Sequence, residues 1–162
     1  MDALPELVTD EAQALFEHYG VFSHREMHSR YEIGLEQYAL SVGVEARSTL
    51  EIATTSILPA ALRYQTELAT NAAAMKAIGY EFDTSTLDEV SSATKALQLA
   101  VGGLRVELSH EHPETVDAEA KHACDDHIPA MAAVRDAADV LEGLVADDLW
   151  PLATYQEMLF IL

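Results

Sequence analysis

Two carboxylate–imidazole pairs, Glu107 with His110 and Glu119 with His122, have the spacing most suited to chemistry in this sequence. At i and i+3 the two groups share one helix face, the geometry with which di-iron carboxylate proteins hold metal inside four-helix bundles. Such a site needs the two pairs to face each other, and one more glutamate from each of two other helices. Here the pairs flank a turn at Pro113, near helix ends, and the further inward glutamates are not evident, Glu45 being the nearest candidate. The competing reading is simpler, because histidines such as His110 and His112 suit a helix C-terminus, where the dipole favours cations.

The other polar residues suggest less. His127 falls on an apolar seam, where a hydrogen-bonded core histidine is the ordinary reading because no nucleophile pattern accompanies it. Asp125, Asp126 and Asp136 are expected to face solvent. Tyr31 and Tyr38, one heptad apart, read as core rings with hydroxyls reaching the surface. Arg30, Tyr31 and Glu32 offer an interhelical or intersubunit ion pair of the exposed, weakly stabilising kind. No glycine-rich phosphate loop, G-x-S-x-G, Cys/His zinc set or H-E-x-x-H occurs. No catalytic, cofactor-binding or metal residue is therefore assigned. Two alternatives stay open: a free-standing metal-binding bundle built on the Glu-x-x-His pairs, and an acidic helical adaptor for a basic partner.

Composition narrows the classes. With 28 acidic against 9 basic residues the net charge is −19, which argues against nucleic acid or an anionic membrane as partner, since both need basic surface. The hydrophobic fraction of 49% in 162 residues is enough for a packed core. Cys124 is the single cysteine, so there is no disulfide framework, and it reads as a small core residue. Apolar runs are short and interrupted by charge, with neither signal peptide nor transmembrane span in evidence, and a cytoplasmic protein is expected.

The elements that must position these residues are helical. Ser23 and Glu26 form a capping box, and from Met27 apolar or large residues recur at helical spacing through Tyr31, Leu35, Tyr38, Val42, Ala46, Leu50, Ala53 and Ile57. Gly79 closes this stretch as a C′ residue. Pro59 lies inside it, and its missing N–H predicts a kink or a break. A second seam runs Leu87, Val90, Thr94, Leu97, Val101, Leu104 and Leu108, with Gly102 and Gly103 inside it, whose expected use is close backbone approach. A third runs Val116, Ala120, Ala123, His127, Ala130, Val134, Ala137, Leu141 and Leu144, with a further kink expected at Pro129. Thr9 or Asp10 caps a short first helix that Gly20 ends, Asp83, Thr84 and Ser85 are candidate caps for the second seam, and Thr154 with Glu157 forms a capping box for a terminal helix. The architecture expected is all-α: an antiparallel bundle of three to four long helices, the first bent near Pro59, with short terminal helices, in one domain over residues 1–162.

Three stretches, LFEHYGVFSHREMHSRYEIGLEQY (15–38), ILPAALRYQTELA (57–69) and DVLEGLVADDLWPLATYQEMLF (139–160), resemble the C-terminal region of type III glutamine synthetases, the long-chain form of that enzyme. ALPEL resembles the segment that joins this region to the catalytic core. The resemblance covers nearly the whole chain, and HSRYEI and LWPLATYQEMLF are its most specific parts. Ala153 departs from the family pattern, which leads us to expect a second proline there. The resemblance implies a parent enzyme, glutamate–ammonia ligase, that uses ATP and Mg or Mn and passes through γ-glutamyl phosphate in a large ring-built oligomer. The nucleotide, metal and glutamate residues of that enzyme lie in catalytic domains upstream, and none has a counterpart here. No cofactor is then expected in these residues, and Met1 is expected to mark a domain boundary. The partners implied are the missing catalytic domains of the same chain and further copies of it, with no nucleic acid and no membrane.

Overall fold

The computed structural model describes residues 3–110, 113–153 and 155–159. Among them every regular element is helical and no strand occurs, as the seams predict. A 3₁₀ turn, Pro5–Val8, leads into α1, Asp10–His18, whose Thr9 side chain accepts from the Ala12 N–H at 3.3 Å. Gly20 ends α1 with φ 64°. The Gly20 N–H reaches Glu17 O at 3.0 Å and the Val21 N–H reaches Phe16 O at 2.9 Å, the paired bonds of a Schellman motif.

The expected capping box is present. Glu26 Oε2 accepts from the Ser23 N–H at 2.8 Å, and Ser23 Oγ accepts from the Glu26 N–H at 3.4 Å. These bonds satisfy N–H groups that have no partner within the helix, and α2 follows as His24–Ile52. Beside this entrance Phe22 packs against Phe16, with ring centroids 5.7 Å apart, and the Arg30 guanidinium lies 4.4 Å over the Phe22 ring. Arg30 therefore serves a cation–π contact here.

Pro59 does not break the helix. Directly after α2 the chain makes a π turn, Ala53–Ile57, and continues as α3, Leu58–Ala77, with right-handed helical φ and ψ at Ile52, Ile57 and Leu58. The Leu58 N–H bonds Ala53 O, five residues back. A proline two residues beyond the start of an α-turn would drive its ring into the carbonyl four residues earlier. Widening the preceding turn by one residue relieves that crowding. Pro129 is accommodated in the same way. After α5, Val116–His122, a π turn at Ala123–His127 passes into α6, Ile128–Glu142, and the Ile128 N–H bonds Ala123 O. Each proline sits two residues beyond its π turn. Gly79, at φ 77°, closes α3 with a second Schellman pair, Gly79 N–H to Lys76 O and Tyr80 N–H to Met75 O.

After the turn, α4 runs Ser85–Glu107 and is entered through Asp83, whose carboxylate accepts from the Ser85 N–H at 2.9 Å. The last described helix is α7, Tyr155–Leu159. Thr154, half of the capping box expected there, lies outside the described residues.

The described chain groups into two compact units. The first comprises residues 1–47 and 106–130. Its buried side chains come from Met27, Leu35, Ala39, Val42 and Ala46 of α2 and from Ala120 and Ala123. Tyr31 donates a hydrogen bond to Asp117, tying α2 to α5, and the Leu4 side chain rests on Gly34, where a Cβ would crowd it at 3.1 Å. The second unit comprises residues 48–105 and 131–162. It buries Ala53, Ile57, Ala60 and Ala61, the α4 seam Val90, Thr94, Leu97, Val101 and Leu104, and Val134, Ala138, Leu141 and Val145. Gln65 donates to Ser91 Oγ at 2.9 Å, linking α3 to α4. The largest fully buried side chains, Met27, Leu35, Val90, Leu97, Leu104, Val134 and Leu141, all lie on the predicted seams.

Gly102 and Gly103 have a different role from the one their spacing suggests. Both are exposed, and a Cβ at either position would meet nothing within 4 Å. They are helix-interior glycines with no close neighbour, so the backbone entropy they add to the unfolded chain is uncompensated within this molecule. Gly102→Ala and Gly103→Ala should each stabilise the chain by roughly 1 kcal/mol, read as a raised urea midpoint at unchanged slope. A second outcome follows from the capping box. Hydrogen bonding from the Ser23 N–H, helped by the Ser23 hydroxyl, holds the Glu26 carboxyl below its ordinary value of 4.5. A depressed carboxylate contributes stability above its unfolded-state pKa and loses it as pH falls through the lower folded value. The stability gap between wild type and Glu26→Gln should therefore be present at neutral pH and close on acidification below about 4.5, followed by thermal melts across pH.

Candidate functional site

Helix ends place the candidate residues. Glu107 is the last residue of α4, and the turn that follows carries His110, whose N–H bonds Glu107 O at 3.3 Å. His122 is the last residue of α5, and His127 is the last of the π turn. All lie in the first unit. The turn around Pro113 brings the two Glu-x-x-His pairs to one place, where Glu107, His110, Glu119, His122 and His127 line a cavity of about 110 Å³. The ligand-bearing atoms of Glu107, His110 and His122 lie within 4.8 Å of one another.

The contacts inside the cluster are specific. His110 Nδ1 lies 3.2 Å from Glu107 Oε2, and His122 Nδ1 lies 2.6 Å from Asp126 Oδ2. The His122 ring meets His110 at 5.8 Å and His127 at 4.7 Å between centroids. An α-helix turns about 100° per residue, so residues five apart diverge by about 140°. The π turn narrows that divergence through its i→i+5 bonding, and the His127 ring lands edge-on against His122. This pairing has no signature in the seam spacing. Asp126 faces solvent as expected, and its exposed carboxylate also orients the His122 ring.

His127 is hydrogen-bonded to the Glu107 backbone, as its position suggests, but it is not a fully buried core residue. It is half-buried, and its Nδ1 is shielded from solvent with no hydrogen-bond partner. Burial, and then the neighbouring His122, push its pKa below the ordinary imidazole range. Cys124 is likewise half-buried, and its thiol beside the Tyr38 hydroxyl pushes the phenol up. The hydrogen bond to Asp117 does the same to Tyr31. Glu45 is exposed and acts on Tyr38 rather than on the histidines. His112 lies outside the described residues.

The histidine-lined cavity is well below the roughly 300 Å³ at which ligand pockets begin. A larger open groove of about 680 Å³ in the second unit, between α4 and α6, presents Glu89 and Asp139 with no cation to meet a phosphate.

Comparison with known proteins places the chain. Residues 1–76 match the family described as the glutamine synthetase C-terminal domain. Nearly the whole chain is similar to the glutamine synthetase of Bacteroides fragilis (strain YCH46), at 28% identity over 168 residues covering 98% of this chain and 23% of that protein. It is similar to the glutamine synthetase of Butyrivibrio fibrisolvens at 27% identity, covering 99% of this chain and 24% of that protein. The likeness is thus to glutamine synthetases, and the matched family, over residues 1–76 of this all-α chain, is their C-terminal domain. A further relative, at 26% identity over 99% of this chain and 23% of its own length, is the type-3 glutamine synthetase of Dictyostelium discoideum. The chain spans about a quarter of the length of these relatives.

The geometry around His127 generates its own expectation. In an NMR titration the His127 ring should protonate below the ordinary value of 6.5, and His122→Asn should move its midpoint upward by removing the neighbouring imidazole that disfavours its charge. A midpoint at or above 6.5 would contradict the burial described.

Proposed function

We propose that this chain is the helical C-terminal domain of a type III glutamine synthetase, non-catalytic alone, which packs on the catalytic core and contributes to subunit assembly or regulation. In this reading the parent enzyme ligates ammonia to glutamate. ATP first phosphorylates the γ-carboxylate, with Mg²⁺ or Mn²⁺ neutralising the phosphates, and ammonia then displaces phosphate. Those groups would be held by catalytic domains of the same chain, in a cytoplasmic homo-oligomer. The acidic surface fits such a partner better than nucleic acid or membrane. No described helix is long and apolar enough to cross a membrane.

The observation that carries the reading is on α2. Ile33, Leu40 and Val44 are spaced by seven and four residues, so they share one helix face, and they are 48%, 65% and 50% exposed. That face is opposed to the buried seam of Met27, Leu35 and Val42, and a helix apolar on two sides is the form expected of an element with a second surface to cover. The likeness to about a quarter of each relative supplies the candidate cover, the remainder of the enzyme.

Two measurements test this. An ATP- and glutamate-dependent glutamine assay on the purified chain should give no turnover, and turnover would refute the non-catalytic reading. In the parent enzyme, replacing Ile33, Leu40 and Val44 together by serine should loosen assembly, seen as a smaller or polydisperse species in sedimentation. An unchanged oligomer with full activity would refute the packing role.

A further inference from the structure

We propose that Glu107, His110 and His122 form a binding site for one divalent transition-metal ion of the zinc class, with Asp126 as the outer residue that orients His122. The site is separate from any metal used in glutamine synthesis and does not rest on the function proposed above.

The donor set suits the ion. Two imidazoles and one carboxylate are a ligand combination that zinc takes while keeping a fourth position for water. With metal–ligand bonds of about 2.0–2.1 Å, neighbouring donors of a tetrahedron stand about 3.3 Å apart. His110 Nδ1 and Glu107 Oε2 already stand at 3.2 Å. The donor atoms all lie within 4.8 Å of one another, so closure requires a shift of no more than about 1.5 Å at one ring tip, within reach of side-chain rotation. Magnesium and calcium are poorer fits, because they prefer all-oxygen shells.

The surroundings supply a second, independent argument. Metal-bound histidines usually donate their remaining ring N–H to a carboxylate, which fixes the tautomer and raises the basicity of the ligating nitrogen. His122 has such a carboxylate in Asp126, at 2.6 Å from Nδ1. In that tautomer the Nε2 lone pair is free to bind metal. His127, packed against His122, brings to the same cavity a shielded Nδ1 with no hydrogen-bond partner, suited to receive a bond from a metal-held water or to complete the coordination. Access is open, since the His110 side chain is 51% exposed while Glu107 and His122 are 28% and 21% exposed.

The test uses the full 162-residue chain, stripped with chelator and titrated with Zn²⁺ by calorimetry in a large excess of Mg²⁺. The excess suppresses loose binding to the acidic surface, which carboxylates alone provide, and leaves an imidazole site intact. One equivalent of Zn²⁺ should bind, and Co²⁺ in its place should show the intense visible absorption of tetrahedral coordination. Asp126→Asn should weaken binding by about 10- to 100-fold. His110→Ala and His122→Ala should each weaken it further, with helix content by circular dichroism unchanged. Should either alanine variant fail to fold, His110→Gln and His122→Gln, which keep polarity and size, give the same reading. Absence of saturable binding under Mg²⁺, or stoichiometric binding that survives the double His110/His122 substitution, would overturn the proposal.

Discussion

A proline has no backbone N–H, and the arrangement of this chain depends on how that deficit is met at Pro59 and Pro129. Both lie inside long helical stretches, where a missing donor and a ring pressed against the carbonyl four residues earlier would cost about 3 kcal/mol in an ordinary helix. The chain widens the turn just before each one, so that the residue preceding the proline bonds five residues back. Helical backbone is retained on both sides. At Pro129 this has a local chemical consequence, because the wide turn gathers His122, Asp126 and His127 onto one face. At Pro59 the equivalent turn carries Thr54 and Thr55, whose hydroxyls donate to Leu50 O and Glu51 O at 2.7 Å and occupy carbonyls beside the distortion.

Elsewhere the chain follows local rules closely. Each helix whose entrance is described in detail begins at a side chain that accepts from its first turn: Thr9, Ser23, Asp83 and Thr115. Two glycines close helices through paired bonds. Agreement of capping, seam and turn chemistry of this kind is what allows a strongly acidic chain to specify helices despite its self-repulsion. The polar residues with specific geometry are concentrated at the ends of α4 and α5 and in the adjoining π turn, where the backbone changes direction or register.

Much of the fold is legible in the sequence because a seam is a one-dimensional pattern. The buried residues of α4 and the Ser23–Glu26 box can be found by counting. The family likeness was legible for a different reason, since HSRYEI and LWPLATYQEMLF are specific strings rather than periodicities. The edge-on His122–His127 contact was not legible, because it exists only once the helix has departed from 3.6 residues per turn. The glycines in α4 show the reverse error: their presence on a packed helix suggested a close approach, and only coordinates could place them on the open side. The Glu-x-x-His pairs were visible as motifs, but whether they would meet depended on the path around Pro113.

A π turn is one residue more than an α-helix needs, and this gives the turn at 123–127 a meaning for how such sequences diverge. Removing a single residue there, with Pro129 replaced by a residue that carries a backbone N–H, restores ordinary helix while leaving Val134, Ala138 and Leu141 on the face they already occupy. The same deletion anywhere else in α6 would rotate that face by about 100° and expose the core residues. One-residue gaps among relatives are therefore structurally cheap at 123–127 and at 53–57. A relative carrying the first gap keeps the helical scaffold and leaves its counterparts of His122 and His127 four residues apart, still on one face of an ordinary helix.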